Sequence, residues 1–74
     1  MTERQRESFY QALGAKLRIA RAAARVSNAS IAARMGCTVK FVELAMAGTL
    51  ILPAHRLVEL ADAISGTNVE ELWP

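Results

Sequence analysis

Apolar residues recur along this chain at steps of three and four, the repeat of an α-helix. Phe9, Leu13, Leu17, Ala20 and Ala24 form the first such stripe and predict a helix from near Thr2 to about Ala24. Ile31, Ala32 and Met35 form a second. Ser27 introduces it as an N-cap, and Gly36 ends it, since the left-handed position past a helix suits glycine best. Two residues later Thr38 caps a third helix, whose Val42, Ala45 and Met46 share a face and which Gly48 stops. Residues 49–53 read as a loop, and Pro53 fits at or just before the first turn of a fourth helix, where a missing N–H costs nothing. Leu57, Leu60, Ala61 and Ile64 are the buried stripe of that helix, and Gly66 closes it. Thr67 and Glu70 have capping-box spacing for a last short helix carrying Val69, Leu72 and Trp73. The expectation is five helices on one small core, in a single domain over residues 1–74.

The stretch from Ser27 to Gly48 is the centre of this pattern: helix, tight glycine-containing turn, helix, the helix-turn-helix arrangement. Its spacing, with its surroundings, resembles the phage repressor/Cro (XRE-like) DNA-binding domains over residues 13–72. The matching residues are Leu13-Gly14, Leu17 and Arg21, then Ser27-Asn28, Ile31-Ala32, Met35-Gly36, Val42 and Gly48, and finally Pro53, Leu57, Ala61 and Leu72. The resemblance implies an all-α, five-helix lambda-repressor-like fold with its helix-turn-helix at helices 2 and 3. It covers about four-fifths of the chain and is more specific for fold than for function, since one fold hosts many functions.

Composition agrees with a helical reading, since alanine is abundant and β-branched runs are absent. A chain of 74 residues has room for one domain and buries only roughly 60% of its unfolded surface, so dimerisation or a partner would help it. The single cysteine excludes an internal disulfide framework. The polar start, Thr2 to Ser8, does not look like a signal peptide, and no apolar run approaches the roughly 20 residues that span a bilayer. A cytoplasmic protein is the expectation.

Charge changes the picture more. The net charge is only +2, yet up to Lys40 eight basic residues stand against Glu3 and Glu7, while after it Arg56 stands against five acids. Such polarity suits a surface turned to phosphates on one side and to solvent or a partner on the other; scattered solvated charges are the plainer reading. Arg18, Arg21 and Arg25 form a row on the first helix. Arg18 and Arg25 are candidates for phosphate contact or for a solvated face, and Thr49 joins the phosphate candidates.

With Val42 turned to the core, a 100° step puts Lys40 and Leu44 on the opposite side of the third helix, with Glu43 beside them. Lys40 can donate to guanine O6 and N7, and Glu43 can accept from cytosine N4, or the two can form a plain surface pair. The resemblance implies base reading at Val39, Lys40 and Leu44 together with Asn28, where the family usually has glutamine. Asn28 keeps the amide on a shorter arm, and the N-terminal N–H groups around it would hold phosphate. Val39 and Leu44 can only pack on thymine methyls or sugars. A second departure is Met46, where family members often have a glutamate paired with an arginine at the position of Arg21. Arg21 therefore needs a different acceptor or a path to solvent.

Catalytic chemistry finds little support. His55 is the only histidine and starts a helix, so no zinc-like cluster can be drawn; Cys37 falls at a turn position that is usually apolar in the family, and no candidate base lies nearby in sequence. Glu70 and Glu71 are cap and dipole carboxylates first. Neither a cofactor nor a metal is expected, and no enzyme. The expected function is a dimeric, sequence-specific DNA-binding regulator that represses by occupying a promoter on double-stranded DNA, with half-sites about one helical turn apart. Apolar Leu50, Ile51, Leu52 and Trp73 are candidates for the homodimer interface, with Trp73 folding back on its own core as the other reading. The alternative function is a protein-interaction module on the same fold, antitoxin-like or an antiactivator, that meets its partner through the apolar Val39–Phe41–Leu44 side of the third helix.

Overall fold

The computed structural model describes residues 2–64, and within them the chain is all-helical, with four helices and no strand. The helices are α1 (Glu3–Ala24), α2 (Asn28–Met35), α3 (Val39–Ala47) and α4 (Ala54–Ala63). The fifth helix expected from Thr67 onward, and Trp73 with it, lie outside the described residues. No described helix is long and apolar enough to cross a membrane.

Local chemistry sets each boundary. Thr2 starts α1 with a reciprocal capping box: its hydroxyl accepts from the Gln5 N–H, and the Gln5 side chain accepts from the Thr2 N–H. Ser27 caps α2 by accepting from the Ser30 N–H, and Thr38 caps α3 by accepting from the Phe41 N–H. Gly36 and Gly48 end α2 and α3 at φ of 69° and 77°, left-handed positions where a β-carbon is strained. The end of α1 departs from this scheme. Arg25 takes the same left-handed role at φ 57° without being glycine, and its N–H together with that of Val26 closes onto carbonyls of the last turn.

The core is one cluster. Leu13 and Leu17 of α1, Ile31 and Ala32 of α2, Val42, Ala45 and Met46 of α3, and Leu57, Leu60, Ala61, Ala63 and Ile64 from α4 and its C-cap are all buried. Leu52 joins them at 7% exposure, and Tyr10 fixes that loop by donating its hydroxyl to the Leu52 carbonyl at 3.3 Å. The loop expected as a block at a two-fold therefore divides. Leu52 belongs to the monomer core, Leu50 is half-buried, and Ile51 points out at 60% exposure.

Helix α3 is held against both α1 and α2, whereas α4 packs on α2. Its contact with α1 is a backbone-to-backbone approach. A β-carbon at Gly14 would lie 2.8 Å from the Gly48 nitrogen and 2.9 Å from the Met46 carbonyl oxygen. One at Gly48 would lie 2.8 Å from the Tyr10 carbonyl oxygen. Only glycine at both positions lets the end of α3 sit this close to the middle of α1.

Candidate nucleic-acid interface

Helices α2 and α3 are joined by Gly36, Cys37 and Thr38 alone. Because Val42, Ala45 and Met46 face the core, the other side of α3 faces away from the molecule, and Lys40 and Glu43 are exposed there. Val39, in the first turn, is 40% exposed. Leu44 and Phe41 are only half-buried rather than open. The apolar face expected along α3 is accordingly smaller than its sequence suggests, with Val39 the one large apolar residue of this helix that is exposed.

Asn28 is the first residue of α2, immediately after the Ser27 cap, and is half-buried. Its Oδ1 is buried and has no hydrogen-bond partner among the described residues. Arg25 precedes it by three positions on the exposed end of α1, so Arg25 and Asn28 belong to one corner of the molecule. The side chains of Lys16, Arg25 and Lys40 make no ion pair or hydrogen bond among the described residues, where the single ion pair is Arg56–Glu59. From Ser8 to Val42 the chain has no carboxylate at all, yet it carries Lys16, Arg18, Arg21, Arg25, Arg34 and Lys40. That acid-free run comprises most of α1, all of α2 and the first turn of α3.

Not all of these cations are free. Arg18 turns its guanidinium onto the Met46 carbonyl, the penultimate residue of α3. Arg34 does the same for the Ala63 carbonyl at the end of α4, at 2.8 Å. Each arginine thus caps the C-terminal end of a helix distant in sequence, where carbonyls are left unpaired and the dipole is negative. This capping role was not visible in the sequence for either residue, because it depends on which helix end the fold brings within reach. The Arg21 side chain makes no hydrogen bond to Met46 or to any other described residue. Its Nε is buried without a partner, and the rest of its guanidinium is not buried, so its charge is relieved by water. Thr49 donates its hydroxyl to the Leu44 carbonyl at 3.3 Å and is itself exposed beyond the end of α3.

His55 is exposed at the start of α4, and Cys37 is half-buried against the core. Among the described residues, no three of His, Cys, Asp and Glu gather closely enough to hold a metal ion. Comparison with known proteins finds no matching family model, no matching curated protein and no matching solved structure.

Proposed function

We propose that the chain is a sequence-specific DNA-binding regulator of the phage repressor/Cro type, a homodimer that represses by occupying a promoter, with α2 and α3 as its helix-turn-helix. The observation that carries this reading is the acid-free, six-cation run from Ser8 to Val42, folded so that Lys40 and the start of α2 are on the outside. A surface that only meets water tolerates both signs of charge, whereas one that meets a phosphate backbone is penalised for every carboxylate. In this proposal Arg25 and the N–H groups around Asn28 hold phosphates, Thr49 joins them when its hydroxyl turns from the Leu44 carbonyl to phosphate, and Lys40 reads guanine in the major groove. Val39 and Leu44 pack on thymine methyls, Glu43 accepts from cytosine, and Asn28, whose Oδ1 is buried, completes the reading set with its side-chain NH2 as donor. Arg18 contributes mainly by fixing the end of α3.

The test is selection of duplexes from a randomised pool by the purified protein, followed by titration of the selected duplex and a scrambled one at several salt concentrations. The expected result is a near-palindromic motif bound roughly a thousandfold or more tighter than the scrambled duplex. The logarithm of affinity should fall with that of salt at about −0.9 per neutralised phosphate. No enriched motif, with no binding of the pool at low salt, refutes the proposal.

A further inference from the structure

The first turn of α3 has no backbone neighbour on the α4 side, since no Cα of α4 comes within 8 Å of one in α3. A side chain of α4 nevertheless reaches that turn. The Arg56 guanidinium lies 5.4 Å from the centroid of the Phe41 ring, within cation–π range. Its Nη1 also donates to Glu59 Oε2 at 3.3 Å, one turn further along α4.

We infer that Arg56 is a positioning residue of the proposed DNA-reading surface: by stacking on Phe41 it fixes the bearing of the first turn of α3, and with it Val39 and Lys40. The inference rests on the DNA reading proposed above. Phe41 directly follows Lys40 and is not among the fully buried residues. On a 100° wheel it occupies the flank between the buried stripe and the outward Leu44. Its ring packs partly against the core, and its remaining surface is open to a side chain from α4. Arg56 covers it, and Glu59 fixes the plane of the guanidinium. The ion pair itself is half-exposed and contributes little to stability, so its consequence is orientation. Lysine is a weaker replacement for Arg56 here, because a compact, strongly hydrated ammonium covers less of the ring than a planar guanidinium.

The test uses the duplex selected by the wild-type protein, with a scrambled duplex as reference, and the variants Arg56→Lys, Arg56→Met, Phe41→Leu and the double variant Arg56→Lys/Phe41→Leu. Arg56→Lys keeps the charge and weakens the contact with the ring. It should reduce the preference for the selected duplex about two- to fivefold while leaving affinity for the scrambled duplex unchanged and moving the unfolding midpoint by only a few degrees. Phe41→Leu should produce the same loss of preference, and the double variant no further loss, because both act on one contact. A merely structural role would instead move the midpoint and both duplexes together. If Arg56 acts as a direct phosphate contact, Arg56→Lys will bind like the wild type, and Arg56→Met will weaken both duplexes and flatten the salt slope. That outcome, or simple addition of the two single losses, overturns the inference while leaving the DNA reading intact. A wild-type protein that selects no motif removes the DNA reading, and the inference with it.

Discussion

Replacing Gly14 by alanine sets two effects of opposite sign against each other. In the interior of an exposed helix the change favours the folded state by about 0.4–1 kcal/mol, because glycine is the poorest ordinary helix former and has the most freedom to lose. Gly14 stands in the middle of the 22-residue α1, so this gain applies in full. Against it, the new β-carbon would meet the Gly48 nitrogen at 2.8 Å, the Met46 carbonyl oxygen at 2.9 Å and the Gly48 α-carbon at 3.0 Å. All three are backbone atoms, so no side chain can swing aside; the end of α3 must move away from α1 by several tenths of an ångström. Overpacking of this kind costs about 1–3 kcal/mol. The Arg18 bond to the Met46 carbonyl is stretched by the same displacement, and loss of such a bond adds about 1 kcal/mol. The balance is destabilising by about 1–3 kcal/mol, equivalent to a fall in unfolding midpoint of roughly 4–24 °C in a domain of this size. Thermal and urea unfolding of Gly14→Ala beside Ser8→Ala measure it, since Ser8 is exposed on the same helix and reports propensity alone. A Gly14→Ala protein as stable as the wild type, or more so, would refute the close approach of α1 and α3.

Lys40→Ala should weaken binding of the selected duplex by about 1–3 kcal/mol and relax preference at one base pair, read by competition with single-base variants; an unchanged preference removes Lys40 from the reading set. Arg25→Ala should weaken all duplexes alike and reduce the salt slope by about 1, whereas Arg18→Ala should chiefly lower the unfolding midpoint, because its guanidinium is engaged by Met46. Equal effects of the two on the salt slope would show that both meet phosphate. Sedimentation at high micromolar concentration should give a dimer for the wild type and a monomer for Ile51→Lys, with a monomeric wild type counting decisively against the exposed loop as the two-fold contact.

The residues that were legible in the sequence are those whose partners are close along the chain. Ser27, Thr38, Gly36 and Gly48 could be assigned as caps because a cap bonds an N–H or carbonyl three to six positions away. The buried stripes of α2, α3 and α4 followed from helical spacing for the same reason. In the loop after α3, Leu50, Ile51 and Leu52 are alike in chemistry and have no period. Nothing in the sequence could show that Leu52 turns inward and Ile51 outward. The targets of Arg18 and Arg34 were equally hidden, since a long flexible side chain bonds whichever helix end the tertiary fold delivers. Gly14 did leave a trace. A glycine in the interior of a strong helix is a standing cost, which signals that the position needs room for a neighbour. Of the reading surface, the outward bearing of Lys40 and Glu43 was legible from the wheel. The half-burial of Leu44 was not, and neither was the contact of Phe41 with Arg56, which depends on where the fold places α4.

The seat of α3 lies on its inner side and at its C-terminal end: Val42, Ala45 and Met46 below, Gly48 against Gly14 behind, and the Arg18 guanidinium on its penultimate carbonyl. None of these contacts involves the exposed side chains at 39, 40, 43 and 47. Mutation at those four positions is therefore nearly free of consequence for folding, so drift there can change what the surface recognises without passing through unstable intermediates. The same separation makes the domain a practical scaffold for engineering. A library randomised at these four sites should express and fold almost uniformly, leaving selection to act on recognition alone.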